Sequence, residues 1–176
     1  MAKSPRRRAP GSSMPVGPLG NQPAATGFRI TSLEGQTNGL TLQAPLNPTE
    51  ITLTRAIPWQ PQLKKGPGDL QFSEREAQTM AFELLFDGVE TDTSVQGDIG
   101  KLLQMSEVDP ILKRPPKLKV LWGGEGAAGT MPRLDAVIES LNIRYVMFDP
   151  KGLPLRAVVA IKVKEAGNLK STKTGP

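Results

Sequence analysis

The stretch "YVMFDPKGLPLRAVVAIKVKEA", Tyr145–Ala166, holds two apolar runs around a four-residue corner, and reading it as a β-hairpin decides the fold. In the corner, Asp149 stands first, Pro150 second and Gly152 fourth. That is the preference of a type I turn followed by the left-handed glycine of a bulge. Beyond it, Leu155, Ala157, Val159, Ile161 and Val163 alternate with Arg156, Lys162 and Lys164, which gives a strand with one dry face and one largely wet face. Val158 and Ala160 interrupt the charges on the wet side. Pro154 falls at the strand start, where little ladder bonding is lost.

Working back along the chain, 18 glycines and 17 prolines cut it into short pieces, which favours a β-rich domain. "GFRITSLEG" and "GLTLQAP" read as two strands that place Phe28 and Ile30, then Leu40 and Leu42, on single faces. "ITLTRAIPW" alternates Ile51, Leu53 and Ile57 against Thr52, Thr54 and Ala56, the pattern of a half-buried strand. "QPQLKKGPGD" reads as a loop. "AQTMAFELLFDG" puts Met80, Phe82, Leu84 and Phe86 on one face, with Leu85 suggesting a partly covered second face, as in a central strand.

One helix is expected within "TDTSVQGDIGKLLQMSEVDP", where Val95, Ile99, Leu102 and Leu103 recur at helical spacing, Thr91 to Ser94 offer capping groups and Pro110 is a stop. Gly97 and Gly100 weaken it by about 1 kcal/mol each, so its stability must come from docking on the sheet. "KLKVLWGG" is a strand with Leu118, Val120 and Trp122 inward. "PRLDAVIESLN" fits two periods: Leu134, Val137, Ile138 and Leu141 suit a helix, while Leu134, Ala136 and Ile138 suit a strand.

Composition excludes much chemistry. With no histidine and no cysteine there is no Ser-His-Asp triad, thiolate nucleophile, disulfide or thiolate zinc site. Asp87 with Glu90, or Asp92 with Asp98, could form an acid/base pair or bind a divalent cation, but solvated charge in a loop and at a helix start is the commoner explanation. "GEGAAG", Gly124–Gly129, matches the letters of a dinucleotide fingerprint after a predicted strand. The third glycine should lie inside a helix, and here Thr130, Met131 and Pro132 intervene. Too few βαβ units surround it for a doubly wound domain, so a Gly-rich hairpin loop is expected, with no catalytic, cofactor-binding or metal residues.

The 176 residues, 38% apolar, suit one domain with a core, at 27–166, between tails at 1–26 and 167–176. The formal charge is +5, but Lys3, Arg6, Arg7 and Arg8 give residues 1–26 a charge of +4 with no acid, leaving the remainder nearly neutral. Its prolines, glycines and serines separate these charges, so the arm reads as a disordered basic tail. A nucleic-acid partner is not expected. No apolar run of about 18 residues or secretory signal occurs, so membrane insertion is not expected and assembly in the cytoplasm is.

Read in order, "NPTEITLTRAIPW", "FELLFDGVETDTSVQGDIGKLLQMSEV", "RPPKLKVLWGG" and "VIESLNIRYVMFDPKGLPLRAVVAIKVKEA" resemble the tube-type protein of contractile injection systems, from about Phe28 to Ala166. In this phage-tail-like family the domain is usually followed by a LysM module, which is not expected after "GNLKSTKTGP". The "GGEGAAGT" insertion and the Arg-rich arm also depart from the pattern.

The resemblance implies a mainly β, β-rich α+β fold. Two packed antiparallel sheets and one helix would make a barrel-like tail-tube protomer. It implies a hexameric ring around a channel, joining the spike and baseplate proteins to the inner-tube subunits and templating the first tube layer. It also implies that "VIESLNIRYVMF" is a strand. The alternatives are a stacked inner-tube subunit, a tube–sheath adaptor, or a nucleotide-binding module using "GEGAAG". For a structural role, the candidate contact residues are Asn47 and Pro48 at a corner, Trp122 as a core anchor, Asp149, Pro150 and Gly152 in the turn, Arg156 as an inter-strand or inter-subunit charge contact, and Val158 and Ala160 facing a neighbour.

Overall fold

The computed structural model describes residues 27–61, 70–72, 76–122 and 133–167. The arm before residue 27, the "GEGAAG" stretch and the tail after residue 167 lie outside the described residues. The chain forms β1 (Arg29–Ser32), β2 (Thr41–Gln43), β3 (Ile51–Thr54), β4 (Trp59–Pro61), β5 (Leu70–Phe72), β6 (Thr79–Asp87), α1 (Gln96–Ser106), β7 (Leu118–Leu121), β8 (Leu134–Phe148) and β9 (Pro154–Glu165). Seven strands make one antiparallel sheet in the order β2-β1-β7-β8-β9-β6-β3, and β4 with β5 forms a separate two-stranded ribbon.

The mainly β fold with one helix among the described residues is as expected; the two expected sheets are joined into one. The link is β8. Its first three residues, Leu134–Ala136, pair with β7 on one side, while Ala136 to Phe148 pair with β9 on the other. Fifteen residues are long enough to serve both halves of the sheet, so no break separates them. The sheet then curls. Phe28, just ahead of β1, meets Phe82 of β6 with ring centroids 4.6 Å apart, although three strands, β7, β8 and β9, lie between theirs in the sheet order.

Inside the curl, the dry faces of β6 (Met80, Phe82, Leu84, Phe86) and β9 (Ala157, Val159, Ile161, Val163) meet Ile30, Leu42, Leu118 and Val120. Helix α1 lays Ile99, Leu102 and Met105 on this core. Leu103, expected on its apolar face, is exposed, and Met105, one turn beyond Leu102, is buried instead. The helix begins later than the capping residues suggested. Its N-cap is Val95, whose N–H donates to the Pro154 carbonyl at 3.1 Å, while Ser94 Oγ accepts from the Gln96 N–H at 3.3 Å. Strand β3 differs from expectation as well: it is an edge strand, and Leu53 and Ile57 remain exposed because nothing among the described residues covers them.

A polar junction closes one end of the sheet. Buried Asp109 accepts the Gln36 N–H on Oδ2 at 2.6 Å and the N–H groups of Ile111 and Leu112 on Oδ1. Gly35 has φ +71°, and a Cβ there would run into the Asp109 carboxylate, so glycine is required on both counts. Next door, Glu34 accepts both terminal nitrogens of Arg114 and the Lys117 N–H. The Gln36 and Leu112 N–H groups hold the Asp109 carboxyl below its ordinary range against the opposing effect of burial; the Arg114 guanidinium does the same for Glu34.

Both carboxylates therefore stabilise the fold fully above the ordinary carboxylate range near pH 4, and that contribution disappears as pH falls through it to the lowered folded values. In urea titrations from pH 7 to pH 3, the unfolding midpoint is expected to fall below about pH 5. Asp109→Asn is expected to start lower and to flatten the acid limb; an unchanged limb would remove Asp109 from the account.

Candidate assembly interface

The hairpin at the end of β8 is built by local chemistry. The Gly152 N–H donates to the Asp149 carbonyl at 3.0 Å, and Gly152 takes the left-handed conformation at φ +86°. Asp149 Oδ1 accepts the N–H groups of Lys151 and Leu153 at 2.8 and 2.7 Å, which locks the corner that Pro150 begins. On the β9 side the hairpin is braced. Gly88 donates its N–H to the Leu155 carbonyl, and Ser94 Oγ and the Val95 N–H both donate to that of Pro154.

The β8 side is different. From Ser140 to Phe148 the strand pairs with β9 alone, which leaves a row of backbone donors and acceptors along one edge without a strand partner among the described residues. Such an edge is a template for another chain. At its far end Tyr145, Val146, Met147, Phe148 and Leu153 are exposed, with Val146 46% and Phe148 55% accessible. Tyr145 and Phe148 are ring neighbours at 6.4 Å. A second exposed apolar spot lies on the ribbon, where Trp59 and Phe72 meet edge to face at 5.7 Å.

Arg156 lies opposite Asp87 in the β9–β6 register, and its Nη2 bonds Asp87 Oδ2 at 2.6 Å, an inter-strand ion pair. That bond keeps the Asp87 carboxyl lowered. Arg156 Nε is buried with no hydrogen-bond partner among the described residues. Val158 stands beside Leu85 on the outward face, and Ala160 beside Glu83. Ala160 also forms part of the floor of a shallow depression of about 480 Å³ that runs across β3, β6, β9 and β8.

The remaining candidates gather around Phe28. Asn47 Oδ1 accepts the Phe28 N–H at 3.0 Å, buried Pro48 follows it, and half-buried Trp122 stacks edge-on against the Phe28 ring at 6.1 Å. The candidates read from the sequence thus fall into three groups: Asp149, Pro150, Gly152 and Arg156 at the hairpin, Val158 and Ala160 on the outward face of β9, and Asn47, Pro48 and Trp122 at the start of β1. The open β8 edge and the apolar tip were not singled out from sequence, although "YVMF" immediately before a turn is the signal that carries them.

Among the described residues no group of three or more acidic side chains could hold a metal ion, and no helix is long and apolar enough to cross a membrane. The family model described as contractile injection system tube protein matches residues 28–174. A comparison with curated proteins returns no match.

Proposed function

The chain belongs to the contractile injection system tube protein family, and from that premise we propose that it is a structural ring component joining the spike and baseplate to the inner tube and templating the first tube layer. Membership carries the coarser statement: a tube component of a phage-tail-like particle, assembling with other parts of such a system. The finer role rests chiefly on one observation, the unpartnered β8 edge from Ser140 to Phe148.

A ring of like subunits can satisfy such an edge. Each copy offers β8 to an edge strand of the next, and the contact is heterologous, so it closes only if the rotation per subunit divides a full turn. A hexamer is the closure proposed. The apolar tip adds desolvation that a backbone ladder alone lacks, and Leu85 with Val158 gives the outward face a smaller apolar patch for the neighbour. Asp149, Pro150 and Gly152 hold the tip in place, Arg156 braces it through Asp87, and Asn47, Pro48 and Trp122 support the start of β1. The protein acts by assembly, with no reaction of its own.

Native mass measurement across concentration tests this. An initiating ring is expected to give one closed species of six copies that does not grow. Open-ended polymers would favour a stacked tube subunit instead, and a monomer at high concentration would overturn both.

A further inference from the structure

We propose that the depression across the outward face of β3, β6, β9 and β8 is the docking groove for this chain's own basic arm, residues 1–26. The groove has a largely apolar floor with polar groups along it and two carboxylates, Glu50 and Glu83, at its β3–β6 end. Register places Thr52, Ala81, Lys162 and Ser140 in one row across the strands, and Glu83, Ala160 and Asn142 in the next, with Glu50 at the β3 end. The small side chains of Ala81, Ala160 and Ser140 leave the trough. Lys162 is held by Glu139 at 2.9 Å, so the carboxylates of Glu50 and Glu83 are the charges in the groove without an ion-pair partner among the described residues.

The arm is their complement. It carries Lys3, Arg6, Arg7 and Arg8 and no acid, while the rest of the chain is nearly neutral. Its root is in the right place. Phe28, where the arm joins the fold, is tied to Asn47, and Glu50 follows three residues later, no more than about 11 Å of chain away. A chain of 19 residues, the length from Ala9 to Gly27, spans roughly 25 Å when relaxed and reaches further when extended, so the arginines can lie along the groove of their own copy.

Proline chemistry selects the groove over the open β8 edge. The arm holds Pro5, Pro10, Pro15, Pro18 and Pro23, each lacking the N–H that strand addition uses. Side-chain docking in an open trough needs no such ladder. The proposal concerns one copy and holds whether or not rings form.

The absence of cysteine makes the test direct. In the full-length chain, Arg7→Cys is paired either with Ala160→Cys on the groove floor or with Gln104→Cys on the exposed side of α1, across the core. At low protein concentration under mild oxidation, the Ala160 pair is expected to form an intrachain disulfide at least tenfold faster than the Gln104 pair, since bridging requires the two Cα atoms within about 7 Å. Adding Glu50→Lys and Glu83→Lys, or 1 M salt, is expected to bring the rate down to the control level. Equal rates for the two pairs, a rate that survives charge reversal, or a product that is a cross-linked dimer would overturn the proposal, the last by assigning the groove to a second copy.

Discussion

Replacing Phe28 with alanine is expected to destabilise the fold by about 3–5 kcal/mol, the range for deleting a buried aromatic ring and leaving a cavity. The residue is 1% exposed, and its ring touches Phe82 at 4.6 Å and Trp122 at 6.1 Å. It belongs to the β2-β1-β7 half of the sheet and packs on the β9-β6-β3 half, so its loss weakens the contact that makes the sheet curl. Against a typical total of about 5–15 kcal/mol, that is a large share. Urea unfolding measures it directly. A loss below about 1 kcal/mol would mean that the two halves hold together without this ring.

Replacing Val146 and Phe148 with aspartate is expected to abolish ring assembly while the monomer stays folded. Both side chains are exposed in the single chain, so the fold loses little by the change. In the proposed ring they are buried, and removing two such anchors, at about 1.5–3 kcal/mol each, weakens subunit association by a factor of roughly 100 to 10,000. Sedimentation velocity reports assembly and thermal melting reports the fold. A double variant that still forms rings at unchanged concentration would take the hairpin tip out of the interface.

The hairpin was legible because its information is local. Asp149, Pro150 and Gly152 specify the corner within four residues, and the hydrogen bonds that form there are the ones this turn chemistry demands. Strand β8 was ambiguous for an equally local reason. Its register shifts between Ile138 and Ser140 and again between Tyr145 and Met147. The first bulge moves the inward position from Ile138 to Leu141, a spacing of three that imitates a helix, and only the resemblance pointed to a strand.

Other features had no nearby signal. Glu34 and Arg114 are 80 residues apart, and Gln36 and Asp109 are 73 apart, so the polar junction emerges only from the fold. Leu53 and Ile57 read as a buried face because alternation marks two sides without saying whether either is covered. The groove is likewise a property of cross-strand register: Ala81 and Ala160 are unremarkable until β6 and β9 bring them into adjacent rows.

The length of β8 has a mechanical consequence. Because this one strand pairs with β9 over nearly its whole course and with β7 at its start, a pull on the hairpin tip along the strand axis runs parallel to both ladders. The interstrand bonds then carry the load together in shear, where peeling would break them one by one. In a tube driven forward by contraction, a subunit set with β8 along the direction of thrust would carry that load through the strand that joins the two halves of the sheet.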